Sequence, residues 1–377
     1  MKHKFYVIFI LITYVLLSSC ERIKDENTNV YENILTGKHI ELEMVSNFII
    51  EENSNQFIGT FLFVKHRMGS LVLADYLNPI LFFIDKTNGK VRKIIKFKFG
   101  KGPGEVIKIG SFEILNDKIY ISDMGNFRWS VFDTSGNFIF TARPFSDLPK
   151  KINEKQKGKY VGNGNIMDIY ENKIYNCVIE TEYNRDLQQQ NSKAIAILDS
   201  SLNIIKVFGR YDKIFGEVKS YFINPQITIS EDGYIYFTQA PTYRIYKYDK
   251  DGNYIKTFGV KGKFRIIDKD IPSNLPISEI MTRTLQFSVS DAIFTFKSFV
   301  LHQFLDRTEK LYETRDLLDN NYYLKVYDKN GNYFQSDIKL PGWLMTVDND
   351  GLLYIYEKNE PGNRQIGVYR IKLVDDL

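Results

Sequence analysis

A six-bladed β-propeller of four-stranded antiparallel blades is the fold this sequence predicts, an all-β ring whose last blade is closed by a strand from the N-terminal side. Three observations carry that expectation. One strand-and-turn unit recurs along the 377 residues, and the loops between its copies change length while its core does not. The last copy also runs out of chain one strand short, while an unmatched strand, HIELEM from His39, lies ahead of the first copy.

The two plainest copies are KIYISD from Lys118 with RWSVFD from Arg128 and TSGNFIFT, and YIYFTQ from Tyr234 with RIYKYD from Arg244 and KDGNYIKTFG. Both place an arginine five residues before an aspartate, Arg128 to Asp133 and Arg244 to Asp249. Looser copies are LVLADY with LFFID ending at Asp85, KIYNCVI with IAILD ending at Asp199, YLKVYD ending at Asp328 with KNGNY behind it, and LLYIYE from Leu352 with IGVYRI from Ile366. Alternating apolar and polar residues rich in Ile, Tyr, Phe and Val, broken by Asp-x-x-Gly-Asn, mark antiparallel strands joined by tight turns, because Gly and Asn tolerate positive φ. An inner strand precedes most copies: FEIL from Phe112, IMDIY from Ile166, QITIS from Gln226 and WLMTV from Trp343. Blade 5 is the weakest, with AIFTFK and FVLHQFL as its inner pair inside residues 260–321.

Composition agrees with a folded body, at 44% hydrophobic and 25% charged residues. The start is different. Lys2 and Lys4 lead an apolar run from Phe5 to Leu17 that is short for a membrane span, followed by Leu17-Ser18-Ser19-Cys20. This segment resembles the lipobox of bacterial lipoproteins, which implies cleavage after residue 19 and lipidation of Cys20; the plainer alternative is a secretory signal with Cys20 as an ordinary thiol. The expected organisation is a signal peptide over 1–19, a flexible tether over 20–37 and the propeller over 38–377. Glu21, where Asp would mark inner-membrane retention in the resembling signals, favours the outer membrane. Glu21, Asp25 and Glu26 are similar to a surface-export tag that Arg22 and Lys24 dilute, so the periplasmic and surface sides both stay open.

Cys177 is the other of the two cysteines, so a lipidated Cys20 leaves no intrachain disulfide. Within the apolar strand KIYNCVI it reads as a packed core thiol. Losing Lys2 and Lys4 lowers the formal charge of +4 to about +2, which argues against a nucleic-acid footprint.

The motifs FGKGPGEV from Phe99, ISDMGNFRWSVFD from Ile121 and YDKDGNYIKTFG from Tyr248 resemble those of NHL-like six-bladed β-propeller lipoproteins of Gram-negative gut-type bacteria. The resemblance covers residues 38–377 and bears on fold; the relatives are largely without an assigned activity, so function must be argued from the site.

In such a blade the turns from first to second and from third to fourth strand share one rim, and the remaining loops share the other. The first rim has only short turns here, while insertions at 142–165, 180–192, 209–223, 260–291 and 306–321 all fall on the second. Binding evolves readily on loops held by a rigid scaffold, so the functional face is expected on the second rim around the channel mouth. The residues nominated there are Asp75, Lys101, Glu105, Asp123, Asn126, Arg128, Arg210, Glu217 and Arg244. Each has a blander role beside it: the Gly-rich run Gly100 to Gly104 lacks the Gly-Lys-Ser/Thr ending of a phosphate loop and reads as a structural turn, and Arg128 and Arg244 suit blade-bridging forks on carboxylates or carbonyls.

No cofactor is required by these motifs, although channel-mouth carboxylates have the chemistry to hold Ca²⁺. His39, His66 and His302 occupy dissimilar parts of their blades, against a three-histidine metal centre, and no Gly-x-Ser-x-Gly elbow is present. The leading expectation is a monomeric, membrane-tethered binding module for a peptide, glycan or envelope protein. The alternative is a hydrolase or lyase built on a channel-mouth divalent cation.

Overall fold

The computed structural model describes residues 30–52, 58–145, 160–180, 189–218, 224–268, 270–271, 275–334, 337–360 and 362–375, so the signal segment and Cys20 lie outside the described residues. Within them the chain forms the six blades expected. Blade 1 comprises Phe61–Arg67, Ser70–Asp75, Ile80–Asp85 and Val91–Lys96, and blade 2 comprises Ile109–Leu115, Lys118–Asp123, Arg128–Asp133 and Phe138–Ala142. Blade 3 follows with Tyr160–Tyr170, Lys173–Glu180, Lys193–Leu198 and Ile204–Arg210, and blade 4 with Gln226–Ile229, Ile235–Thr238, Ile245–Tyr248 and Tyr254–Phe258. Blade 5 has Ser288–Phe296, Phe299–Asp306, Asn321–Asp328 and a short outer strand, Asn332–Phe334, with Ile338–Lys339 pairing further along the third strand.

Blade 6 contains Trp343–Val347, Leu352–Glu360 and Asn363–Asp375, and its fourth strand is Lys38–Ile50, antiparallel to the third from Arg364↔Ile50 to Asp375↔Lys38. The spare N-terminal strand therefore shuts the ring, pairing backbone groups that an open sheet edge would leave exposed. The expected tether over 20–37 needs a correction at its C-terminal end. Val30–Tyr31 adds in parallel to the outer strand of blade 4, and Asn33–Leu35 adds in parallel to that of blade 5. Side chains hold this belt: Tyr31 Oη and Asn33 Nδ2 both donate to Asn332 Oδ1, at 2.9 and 2.7 Å.

The turn chemistry recurs from blade to blade. Asp133 Oδ1 accepts from Ser135 N and Asn137 N, each at 2.8 Å, and its Oδ2 accepts from Asn137 Nδ2. Asp199, Asp249 and Asp328 repeat the pattern with Asn203, Asn253 and Asn332. The glycine of this turn has two duties. Gly252 has φ +76°, and a Cβ there would lie 2.7 Å from Phe208 of the preceding blade. The same abutment joins Ile95 to Gly136 and Phe258 to Gly331, and at the closure the N-terminal strand's Phe48 meets Gly89. The borrowed strand thus makes the blade-to-blade contact that outer strands make elsewhere.

Between blades the core is aromatic. Phe97 and Phe132 join blades 1 and 2 at 4.5 Å between centroids, Phe208 and Tyr248 join blades 3 and 4 at 5.3 Å, Phe258 and Tyr327 join blades 4 and 5 at 5.3 Å, and Phe61 and Tyr356 join blades 1 and 6 at 5.1 Å. Such a ring, fully buried, contributes about 1.5–3 kcal/mol, which is how the described residues, whose one cysteine is the free Cys177, are held together without a disulfide among them. Cys177 sits in this core with no exposure, and burial pushes its thiol far above the usual range.

The rims segregate as the loop lengths imply. First-rim turns are as short as Met68–Gly69 and Asn116–Asp117, whereas the second rim carries the helices Ile214–Glu217, Ile277–Thr284 and Glu309–Thr314.

Candidate functional site

The inner strands enclose a central cavity of about 790 Å³ to which all six blades contribute wall. Phe63, Phe112, Ile169, Ile229, Phe294 and Met345, one from each blade, supply apolar surface. Across blades 1 to 3 the wall is tied by charge. Arg67 donates from Nε and Nη2 to Glu113 at 2.8 and 2.9 Å and reaches Asp168 at 3.4 Å, while Lys65 donates to Glu113 and to the Met167 carbonyl. Asp168 in turn accepts from Ile229 N of blade 4 at 2.8 Å. Burial works against charge on Glu113, but the Arg67 and Lys65 cations overcome it and hold its carboxyl below the usual range. This network is internally matched, so it shapes the wall more than it invites a ligand.

Other polar groups in the wall are not matched. Ser111 and Gln226 are 2% and 3% exposed, and Ser111 Oγ and Gln226 Oε1 have no described hydrogen-bond partner. His66 Nε2 is likewise buried without a described partner, and burial together with the nearby Lys86 cation lowers its pKa.

At the second-rim end the cavity is lined by Asp291, Leu305, Arg307, Leu311, Leu317, Asn320, Tyr322 and Trp343. A bulge between Ser290 and Ala292 sets Asp291 out of the regular pleat. Its Oδ2 accepts from Gln303 Nε2 at 2.7 Å and from Trp343 Nε1 at 3.2 Å. Gln303 is itself held by Leu344 N, which donates to its Oε1 at 2.8 Å, and the Trp343 ring stacks on Phe61 at 6.4 Å. Burial pushes the Asp291 carboxyl up to about 6, against the opposing pull of those two donors and of Arg307.

The loop between the second and third strands of blade 5 brings Leu311 and Leu317 over this end. Thr308 Oγ1 caps the helix Glu309–Thr314 by accepting from Leu311 N, Arg315 ends it at φ +62°, and Asp316 caps the short 3₁₀ turn Leu317–Asp319 by accepting from Leu318 N at 3.0 Å.

The residues nominated from sequence lie elsewhere on the second rim, and none lines this cavity. Asp75 accepts from Gly59 N, Leu77 N, Asn78 N and Asn78 Nδ2 at 2.8–3.2 Å. Asp123 does the same in blade 2 with Lys108 N, Gly125 N, Asn126 N and Asn126 Nδ2 among its donors. Carboxylates saturated by N–H donors offer little to Ca²⁺, which needs free oxygen lone pairs. Among the described residues no three of His, Cys, Asp and Glu gather closely enough to hold a metal ion.

Asn126 also donates to the Gly100 carbonyl at 2.9 Å, and Arg128 donates to the carbonyls of Lys101, Gly102 and Glu105 at 3.1, 2.6 and 2.7 Å, so both pin the glycine-rich turn. Glu105 accepts from Gly102 N at 2.7 Å and pairs with Lys98 at 2.6 Å. Arg244 donates from Nη1 to both oxygens of Asp212, at 2.7 and 3.0 Å, and Tyr246 Oη donates to the same carboxylate at 2.7 Å. Arg210 ends the outer strand of blade 3 opposite Lys193, and Glu217 is exposed on the helix Ile214–Glu217. Sequence reasoning missed Asp291, Gln303 and Trp343; a polar Asp and Gln within the apolar strands of blade 5 were the available signal.

Fold and cavity together define a six-bladed β-propeller with a walled central channel. No family model and no curated protein matches the chain. Solved structures do. A member of the DUF4221 family from Bacteroides vulgatus is 12% identical with a TM-score of 0.61, over 90% of this chain and 99% of that one. A Bacteroides fragilis protein described as exported is 14% identical with a TM-score of 0.53, over 93% of this chain and 98% of that one. At such identities the likeness is one of fold. No helix among the described residues is long and apolar enough to cross a membrane.

Proposed function

We propose that this chain is an exported, lipid-anchored binding protein of the NHL-like propeller lipoprotein kind, and that its ligand occupies the central channel from the second-rim side. The observation that carries this reading is the cavity itself: about 790 Å³, walled by apolar and polar residues of all six blades, with Ser111 and Gln226 among its lining residues and no described partner for the buried Ser111 Oγ or Gln226 Oε1. That size falls among small-molecule sites of roughly 300–1,000 Å³, and an unmet buried polar group costs about 1–3 kcal/mol that a ligand can recover. A peptide or glycan end fits this description; the nominated rim residues would then shape the mouth rather than contact the ligand. We further infer a monomer with no nucleic-acid partner, on the outer membrane.

Two measurements test the reading. Protein purified from its native envelope should release a bound organic molecule on denaturation, and Ala292→Trp, which fills the channel, should abolish that binding while leaving the β-type circular dichroism unchanged. Binding that survives Ala292→Trp would remove the channel as the site. For the anchor, Cys20→Ser should abolish incorporation of labelled acyl chains and move the protein from the membrane to the soluble fraction.

A further inference from the structure

We infer that the second-rim end of the channel receives an α-ammonium group carried on an apolar side chain, that of a free amino acid or a peptide N-terminus, with Asp291 Oδ1 as its acceptor. This rests on the channel being a ligand site, and it goes beyond that reading by naming what is recognised. Both described hydrogen bonds to Asp291 fall on Oδ2, so Oδ1 is left to the cavity that the residue lines. The carboxylate is also aimed: Leu344 N holds Gln303, Gln303 and the Trp343 indole hold Oδ2, and Phe61 backs the indole. A second acceptor lies at the same end. Asn320 donates to the Leu317 carbonyl at 2.9 Å, while its Oδ1 is buried with no described partner.

An ammonium brings three donors and suits such oxygens. A metal ion does not, since the described residues offer no cluster of carboxylates there and the wall beside Asp291 includes the Arg307 cation and Leu305, Leu311 and Leu317. Those leucines give an apolar side chain its place. Arg307 at the same end would repel a plain amine but pairs with the carboxylate that a free amino acid carries beside its ammonium. The raised pKa of Asp291 is what a buried carboxylate shows when its counter-charge has yet to arrive.

The test is calorimetric titration of the full mature chain with four probes: L-phenylalanine, the dipeptide Phe-Gly, N-acetyl-L-phenylalanine and 3-phenylpropanol. At least one of the two ammonium probes should bind at least tenfold more tightly than both probes lacking the ammonium. Asp291→Asn, close in shape and still able to accept from Gln303 and Trp343, should erase that preference. Tighter binding of phenylalanine than of Phe-Gly would identify the free amino acid as the source of the ammonium, and the reverse order a peptide terminus. Equal binding of all four probes, binding unchanged by Asp291→Asn, or no binding of either ammonium probe would overturn the inference. The channel reading is judged separately by the Ala292→Trp experiment, and the probe comparison on the unaltered protein does not depend on any variant folding.

Discussion

Asp133, Asp199, Asp249 and Asp328 each accept backbone N–H groups two and four residues ahead, whereas Asp212 adds Arg244 and Tyr246 of blade 4 to a local bond from Ile214 N, and Asp291 takes its partners from other strands. The first kind was legible in the sequence because Asp-x-x-Gly-Asn, with Leu202 in the glycine's place after Asp199, contains all its own partners. Asp291 was not, since Gln303 and Trp343 lie 12 and 52 residues away, on the paired strand of the same blade and on the inner strand of the next, where only the packed blades bring all three together. Arg128 and Arg244 fall between: the repeat exposed them, but whether the fork met carbonyls or a carboxylate awaited the structure.

Consequences at this scale are measurable. Asp212→Ala leaves Arg244 facing a site that has lost its carboxylate and should cost about 3–5 kcal/mol in denaturant unfolding. Gly252→Ala combines a left-handed φ, worth about 1–2 kcal/mol, with a Cβ pressed on Phe208, and should destabilise by more than that strain alone. His302 is fully buried beside Ser290 and Lys325, and burial followed by the Lys325 charge lowers its pKa to about 3. The unfolded imidazole titrates near 6.5, so this group's contribution is complete above that pH and is lost as pH falls toward 3, at up to about 1.4 kcal/mol per pH unit. Asp291 has the opposite sign: held up at about 6, it adds stability as pH falls from 6 toward its unfolded value near 4. Urea midpoints against pH should therefore decline less steeply on the acid side in His302→Gln, and more steeply between pH 6 and 4 in Asp291→Asn.

Among the elements, blade 5 was least readable. Its outer strand is three residues long with a single registered pair to its neighbour, and helices interrupt the approaches to the blade, so neither strand alternation nor turn spacing survives over 260–321. The closing strand was readable, because a blade one strand short and a strand without a blade call for each other. The belt over Val30–Leu35 was not, since two- and three-residue strands carry no period. Deletion separates their roles. Removal up to residue 36 should lower the melting temperature by a few degrees and keep one cooperative transition. Removal up to residue 50 strips the outer strand from blade 6 and the Phe48–Gly89 contact, and should yield aggregating protein without a sharp transition.

At the scale of the molecule, the short turns of one rim and the long loops of the other follow from connectivity, so loop lengths alone located the elaborated face. They did not locate the cavity, whose wall is assembled from stretches of all six inner strands together with second-rim residues of blade 5 such as Leu311 and Leu317. The ring also shuts through partners far apart in sequence, as with Gly362 N donating to Glu52 across 310 residues. A ribosome therefore releases nearly the entire polypeptide before the strand Lys38–Ile50 has its mate. Export would meet a chain still open and threadable, and a premature stop anywhere in the last blade would strand the leading segment with nothing to zip against.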